Sequence, residues 1–354
     1  MNKESQDFFY KLLKTPSPTG YEAPIQKVVK NRMSQYAQTI ETDLHGNLIV
    51  GINTKAERRI MLAGHCDQIG FMVKHIDKNG YVYMDRLGGI DNAVLWGTTI
   101  VIYGKKGPVR GVFGKKAIHL TPTDERNRPK ADLNAMWVDI GAKDKKDAEK
   151  LITVGDSATF DLTVQELGQD FVCSPGIDDK AGLFVVMEAL RLCTRKKLSV
   201  ALYAVSTVQE EVGLRGAKTA AYGVDPEIGI AVDVTHATDD PANSGQKTSP
   251  CELGKGPGIY QGPNINPILY KMLVDAAKKH RTPYQPLTSG RLMGNDANAM
   301  QVNRSGVAAA SIALPNRNMH TQAEIISLKD LENSAKLLAN FIQTVTPRTN
   351  LRPR

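Results

Sequence analysis

The feature that most constrains the fold is a change in strand spacing partway along the chain. Up to residue 69 and again after residue 166, apolar strands such as 59–63 are separated by amphipathic helices such as 179–192. Between these parts, residues 71–160 show short alternating strands joined by glycine turns. Strands separated by helices indicate a mainly parallel sheet, whereas closely spaced strands indicate an all-β unit.

This pattern predicts an α/β fold with an inserted domain. We expect a mainly parallel sheet covered by helices, formed by residues 1–69 and 166–354, and a small all-β barrel-like domain at residues 70–165. The chain has 354 residues, of which 41% are hydrophobic. At about 150 residues per domain, that is enough material for two cores.

Charge and cysteine content restrict the partners and the compartment. The net charge of +8 is spread over short Lys and Arg clusters, so nucleic-acid binding is only weakly indicated and we expect none. No apolar run approaches the roughly 20 residues of a membrane span, and the N-terminus has no apolar signal core. Four cysteines without CxxC pairing favour reduced thiols, so we expect a cytoplasmic protein without membrane contact.

Ligand-type side chains recur where predicted strands end. In an open parallel sheet, functional groups collect beyond the carboxyl ends of the strands. The side chains beyond the strand ends are His65, Glu210, Glu211, Asp233 and His320. A further carboxylate, that of Asp178, precedes a helix, where the helix dipole favours negative charge.

This set of donors predicts a metal centre. Two histidines with several carboxylates suit zinc, cobalt or manganese, whereas an all-oxygen set would indicate magnesium or calcium. The set holds more ligands than one tetrahedral ion requires, so we expect two ions about 3.5–4 Å apart with a bridging carboxylate. Asp178 is the predicted bridge because it lies between the two halves of the ligand set in the sequence.

Side chains next to the ligands are candidates for proton transfer and support. Neighbouring residues of an extended chain point to opposite sides, so Glu210 and Glu211 are expected to differ in role, one binding metal and one acting as general base. Asp67 is expected to accept the second ring N–H of His65, with capping of a turn as the alternative. Cys66 lies between them, and alternation favours a buried thiol over a ligand.

Two further residues have two open interpretations each. Asp296 either lines the substrate pocket or stabilises its glycine loop. His119, in the predicted inserted domain, either stabilises an oxyanion or folds its own loop, and the second is favoured.

At this point the sequence resembles a known family, the tetrahedral aminopeptidases. These are cytoplasmic dinuclear metallopeptidases that include glutamyl and deblocking aminopeptidases, and the resemblance covers nearly the whole chain. It rests on the order and spacing of eight short motifs, which are Gly64-His65-Cys66-Asp67-Gln68-Ile69-Gly70-Phe71, Gly111-Val112-Phe113-Gly114 running to His119-Leu120, Trp137-Val138-Asp139-Ile140-Gly141-Ala142, Ile177-Asp178-Asp179-Lys180, Gln209-Glu210-Glu211-Val212-Gly213, Ala231-Val232-Asp233-Val234, Gly294-Asn295-Asp296-Ala297 and Asn318-Met319-His320-Thr321.

The resemblance implies a fold of the dinuclear zinc-peptidase type and a role for each ligand. One ion would take His65, Asp178 and Asp233. The other would take Asp178, Glu211 and His320. Glu210 would be the general base, and the Asp178–Asp179 peptide would be cis.

The resemblance also implies an assembly, a hollow dodecamer built from dimers through the inserted domain. The chain departs from the family pattern at four positions, none of which is a ligand or the base. They are Gln68 in place of a common acid, Lys180 in place of arginine, Asn295 in place of threonine and Asn318 in place of an aromatic residue.

The sequence thus predicts a metal-dependent aminopeptidase that uses two zinc or cobalt ions and a bridging hydroxide, with Glu210 taking the proton. Its substrates would be peptides with a free N-terminus. Two alternatives stay open, a dinuclear-metal deacylase of N-acyl amino acids and a non-catalytic metal-binding scaffold. Glycoside hydrolysis is not favoured, because it needs two carboxylates and gives the histidines no purpose.

Overall fold

The computed structural model describes residues 1–123, 131–243 and 249–353. Within these ranges the chain forms strands that belong to three sheets. In chain order the strands are β1 (Thr39–Thr42), β2 (Leu48–Ile52), β3 (Arg59–His65), β4 (Gly70–Ile76), β5 (Val82–Leu87), β6 (Thr99–Gly104), β7 (Gly107–Phe113), β8 (Val138–Asp139), β9 (Ser157–Phe160), β10 (Gln165–Leu167), β11 (Phe171–Ser174), β12 (Ala201–Thr207), β13 (Ile228–His236), β14 (Gly258–Gln261), β15 (Gln285–Thr288), β16 (Ala308–Asn316) and β17 (Glu324–Ser327).

The helices lie almost entirely outside the stretch of closely spaced strands. In chain order they are α1 (Lys3–Leu13), α2 (Ala23–Met33), α3 (Lys145–Ala148), α4 (Ile177–Cys193), α5 (Arg215–Val224), α6 (Pro267–Lys279), α7 (Asp296–Gln301) and α8 (Leu328–Ile342). Short 3-10 turns occupy Asn92–Val94, Ile118–Leu120 and Leu133–Ala135. None of the helices in the described ranges has the length and apolar character that a membrane span needs.

The main sheet has eight strands in the order β1-β2-β12-β3-β13-β16-β14-β15. Its four central strands, β12, β3, β13 and β16, are parallel, as the alternation of strands and helices predicts. The sheet becomes mixed towards its edges, since β2 pairs antiparallel with β12 and β14 pairs antiparallel with β16. The α/β interpretation is therefore confirmed, and its parallel part is the centre of the sheet.

Helices cover both faces of this sheet. On one face, α1, α4, α6 and α8 contribute to a large core that includes Phe9, Phe184 and Phe341. On the other face, α5 and α7 bury small side chains such as Ala217 and Ala221 against β3 and β12. Both faces being covered explains why the central strands are almost continuously apolar.

The closely spaced strands form the predicted barrel. Strands β4, β5, β8, β7, β6 and β9 close in that order, and all six neighbouring pairs are antiparallel. The ring centroid of Phe71 lies 5.1 Å from that of Phe113 and 5.5 Å from that of Phe160 in the barrel core. Aromatic rings in tilted or edge contact fill such a small interior well.

A close approach between α4 and the central strands positions the site. A Cβ atom built on Gly64, in β3, would lie 2.6 Å from the backbone of Gly182, in α4. A Cβ on Gly182 would in turn lie 2.4 Å from the carbonyl oxygen of Val232. These glycines let the start of α4 lie directly against the ends of β3 and β13.

Candidate metal centre

Five predicted ligands come together at the carboxyl ends of the parallel strands. His65 ends β3, Asp233 lies in β13 and Asp178 lies in the first turn of α4. Glu211 and His320 are in the loops that follow β12 and β16. Their ligand atoms form two groups, in each of which all atoms lie within 4.8 Å of one another: His65, Asp178 and Asp233, and Asp178, Glu211 and His320.

Asp178 is the carboxylate that the two groups share. Its Oδ1 lies 3.1 Å from Nε2 of His65, and its Oδ2 lies 3.1 Å from Nε2 of His320. One oxygen therefore faces each histidine, which is the arrangement of a bridging carboxylate. The peptide bond between Asp178 and Asp179 is cis, as the family resemblance implied.

The carboxyl groups of the site are crowded and buried. Burial and the neighbouring charge of Asp178 raise the pKa of Glu211 to about 8 and that of Asp233 to about 8. Glu211 Oε1 is buried without a hydrogen-bond partner. Buried carboxylates crowded in this way need nearby cations to stay ionised, and nitrogen and oxygen donors together suit divalent transition metals. The residues present therefore fit a pair of divalent ions.

The two histidines are linked to the same carboxylate. The hydrogen bond with Asp178 raises the pKa of His320 to about 9, although burial opposes this. For His65, burial lowers the pKa but the charges of Glu210 and the hydrogen bond to Asp178 outweigh it, so the pKa lies well above its usual value. Both imidazoles would have to lose a proton to bind metal, so metal binding here releases protons.

Glu210 faces the centre without belonging to either group of ligands. Its Oε2 lies 3.9 Å from Nε2 of His65, and the side chain lines the cavity. Burial is the largest cause that raises the pKa of Glu210 to about 10, and the charges of Asp233 and Asp296 add to it. A carboxylate beside a metal centre that is not itself a ligand is placed to accept and return a proton.

The contact of Asp67 differs in detail from our expectation. Nδ1 of His65 lies 3.0 Å from the backbone carbonyl oxygen of Asp67 and 3.5 Å from its carboxylate. The carboxylate instead accepts the backbone N–H groups of Glu210 at 3.0 Å and Glu211 at 3.2 Å, and the hydroxyl of Thr19 at 2.9 Å. The chain turns after His65, so the carbonyl of Asp67 orients the ring and its side chain holds the loop that carries Glu210.

Two buried glutamates support the site and were not found from the sequence. Glu22, at the start of α2, accepts the backbone N–H of Gln209 at 3.2 Å. Glu324, at the start of β17, accepts the backbone N–H groups of Asp178 at 3.0 Å and His320 at 2.8 Å. Their contacts are with backbone of distant segments, which leaves no spacing in the sequence to reveal them.

The remaining predicted residues lie outside the cavity of the centre. Asp296 is buried and accepts the hydroxyl of Thr207 at 2.6 Å, while its other oxygen has no partner. His119 lies on an exposed 3-10 turn of the segment after β7 and does not line this cavity. Cys66 is buried as a free thiol, and burial raises its pKa further from the reactive range.

Two departures from the family pattern pair with each other. The ammonium group of Lys180 is buried and donates to the side-chain oxygen of Gln68 and to the carbonyl of Thr15. Burial lowers the pKa of Lys180 to about 7. Asn295 has a structural role, because its side chain caps α7 through the N–H of Ala297. The side chains of Lys180, Gln68 and Asn295 therefore make hydrogen bonds with groups other than the predicted ligand atoms.

The fold and the site together define a class of protein. A helix-covered sheet that carries two ligand groups sharing one carboxylate, with Glu210 beside them, fits a metal-dependent hydrolase. Comparison with known proteins places the chain within this class.

The chain belongs to the M42 glutamyl aminopeptidase family, whose match spans residues 46–337. It is therefore a hydrolase that acts as an aminopeptidase, and the family implies divalent metal ions. Lysyl aminopeptidase from Pyrococcus furiosus is 37% identical over 339 residues, which are 95% of this chain and 96% of the relative.

Solved structures agree over nearly the whole chain. The TET aminopeptidase of Thaumarchaeota archaeon SCGC AB-539-E09 has a TM-score of 0.92 at 32% identity and covers 98% of both chains. The TET1 peptidase of Pyrococcus horikoshii has a TM-score of 0.86 at 28% identity and covers 96% of this chain and 100% of its own. That peptidase is described as assembling into a tetrahedron or a large octahedral shell.

Proposed function

We propose that this aminopeptidase removes N-terminal residues from peptides with two divalent ions, zinc or cobalt. The observation that carries the proposal is the position of Asp178, with one oxygen 3.1 Å from each of two histidines. One ion would be held by His65, Asp178 and Asp233. The other would be held by Asp178, Glu211 and His320.

The chain's own residues supply proton transfer and rigidity. When bound, the ions polarise the scissile carbonyl and lower the pKa of water. Glu210 accepts the proton of the attacking water and returns it to the leaving amine, so that the proton count balances. Asp67 fixes the backbone amides of Glu210 and Glu211 and thereby the direction in which the base points.

We assign Asp296 a supporting role, because it accepts the hydroxyl of Thr207 and does not line the cavity. We assign His119 a role in folding its own loop, because it does not line the cavity either.

A free α-amino group distinguishes the aminopeptidase from the deacylase alternative. The carboxylates that line the cavity favour a cationic amine at the end of a substrate, whereas an N-acyl group offers no charge. The test compares aminoacyl p-nitroanilides with their N-acetyl forms after chelation and reloading with zinc or cobalt. We expect turnover of the free amines alone. Hydrolysis of the N-acetyl amide bond with no release from the free amines would support the deacylase instead.

The Glu210→Gln variant tests the base separately from the metal. Since Glu210 belongs to neither ligand group, metal content by mass spectrometry is expected to stay close to that of the parent protein. Turnover is expected to fall at least about 100-fold, the lower end of the contribution of general-base catalysis. Substantial remaining activity would contradict the assignment, and the same loss with lost metal would make Glu210 a ligand.

We propose that the chain self-associates through the domain at residues 70–165, as dimers that assemble into a dodecamer. The assembly described for the similar Pyrococcus horikoshii peptidase supports this proposal. We also propose that the enzyme works in the cytoplasm, without nucleic acid or membrane partners. Light scattering coupled to size-exclusion chromatography tests the assembly. A mass near twelve times 38.7 kDa is expected, and a monomer at micromolar concentration would contradict it.

A further inference from the structure

We propose that this enzyme prefers substrates whose N-terminal residue is uncharged and apolar, such as leucine or methionine, over lysyl and glutamyl substrates. The inference rests on the proposed function, because it concerns the cavity in which the metal centre lies. Family membership does not fix this property, since the relatives are named for lysine and for glutamate, whose side chains have opposite charge.

The cavity has a volume of about 710 Å³. All carboxylates that line it belong to the metal centre or to Glu210, and no lysine or arginine of the described residues lines it. Besides the predicted ligands and Glu210, the described lining includes one further titratable side chain, the imidazole of His236, which is exposed at the end of β13. Among the described residues, a lysyl side chain would therefore find no carboxylate outside the metal centre and Glu210, and a glutamyl side chain would find no lysine or arginine.

Part of the wall beside the metal centre is apolar. It includes Met293, which is only 7% exposed. Leu214 and Met319 line the cavity near the other ligand group. Such a surface gains by contact with an aliphatic side chain, because apolar area is removed from water on both sides.

The hydroxyl groups of this wall have hydrogen-bond partners, and that of Ser289 donates to the backbone carbonyl of Arg291. Thr235 and Asp233 are two residues apart in β13, so both side chains face the same side of the sheet. The hydroxyl of Thr235 lies 2.9 Å from that of Tyr260, so one of these two groups donates to the other. The nearby cation of Arg317 is bonded to Asp239 at 2.7 Å and does not line the cavity. A charged substrate side chain would lose hydration without a partner in return.

The first experiment measures substrate preference of the metal-loaded full chain. We expect kcat/KM for leucyl and methionyl p-nitroanilide to exceed that for lysyl and glutamyl p-nitroanilide at least tenfold, as one mismatched group in a binding pocket produces. An equal or higher value for the lysyl or glutamyl substrate would overturn the inference and leave the aminopeptidase function intact. Failure of all four substrates would instead count against the proposed function itself.

The second experiment compares two variants. One places a charge in the cavity wall, and the matched control places the same charge on the adjacent residue outside the cavity. Met293→Glu introduces a carboxylate into the cavity, whereas Leu292→Glu introduces the same charge at the adjacent residue, which is 76% exposed and does not line the cavity. We expect the ratio of lysyl to leucyl kcat/KM to rise at least tenfold in the first variant and to stay unchanged in the second. A folded Met293→Glu protein with an unchanged ratio would show that this wall does not contact the substrate side chain. If that variant does not fold, the preference of the unaltered protein decides the inference.

Discussion

Glu22 is expected to act on catalysis from outside the metal centre. Its carboxylate is buried and accepts the backbone N–H groups of Gly20 at 2.7 Å and Gln209 at 3.2 Å. Gln209 precedes Glu210, the proposed base, and has a φ of 55°, in the left-handed region that a residue with a side chain adopts only when its surroundings hold it there. Together with Asp67, Glu22 fixes three consecutive amides of this turn.

The Glu22→Ala variant leaves the amide of Gln209 without its acceptor. A buried amide that loses its partner costs about 1–3 kcal/mol. If that cost falls on positioning Glu210, kcat drops by about 5- to 150-fold, because each 1.4 kcal/mol is a factor of ten in rate. KM is expected to change little, since Glu22 does not line the substrate cavity. Glu22→Gln retains an acceptor oxygen and should keep kcat within about threefold of the parent value.

Glu188→Ala is the matched control for this experiment. Glu188 is also a buried glutamate, but it bonds to Ser5 at 3.0 Å and to Arg191, away from the metal centre. We expect a comparable loss of thermal stability with unchanged kcat. Steady-state kinetics and thermal melts of the metal-loaded proteins provide both readouts. The reasoning is refuted if kcat of Glu22→Ala falls no further than that of Glu188→Ala, or if the glutamine and alanine variants are equally impaired.

Three further predictions concern the metal centre. Asp178→Asn is expected to reduce the binding of both ions in calorimetric titrations, because its carboxylate is common to both ligand groups. His320→Ala should weaken the binding of one ion only. Equal losses of affinity in the two variants would contradict the shared role of Asp178. For the metal-free chain, burial holds the pKa of Glu211 and Asp233 near 8, above the usual carboxylate value, so the folded state binds protons more tightly than the unfolded state. The free energy of unfolding, measured by urea titration, should therefore fall as the pH rises from about 5 to about 7. An increase in this free energy over the same interval would contradict the burial of these acids. Metal affinity should increase over the same interval, because binding displaces these protons, and a pH-independent affinity would contradict that linkage.

The arrangement of helices and strands could be predicted well from the sequence. Runs of apolar residues such as those of β3 and β13 are long, and the helices between them have a clear periodicity. The edge strands β14 and β15 were missed, because each has only four residues with little hydrophobic pattern. The short strand β9 of the barrel was missed for the same reason.

The members of the site were predictable where side-chain chemistry identifies them. Histidine and carboxylate side chains beyond strand ends signal a metal centre, and the structure brings His65, Asp178 and His320 together. Contacts between a side chain and distant backbone carry no such signal. For this reason the sequence did not reveal the role of Glu22, and it offered the turn-capping role of Asp67 only as an alternative.

The most direct test of the account is the number of divalent ions in the active protein. Purified protein is stripped with a chelator and titrated with zinc or cobalt, while bound metal is counted by mass spectrometry and leucyl p-nitroanilide turnover is followed. The account predicts no turnover in the stripped chain and full turnover only at two ions per chain. Full turnover with no bound metal, or saturation at one ion, would contradict a centre in which Asp178 joins two ligand groups.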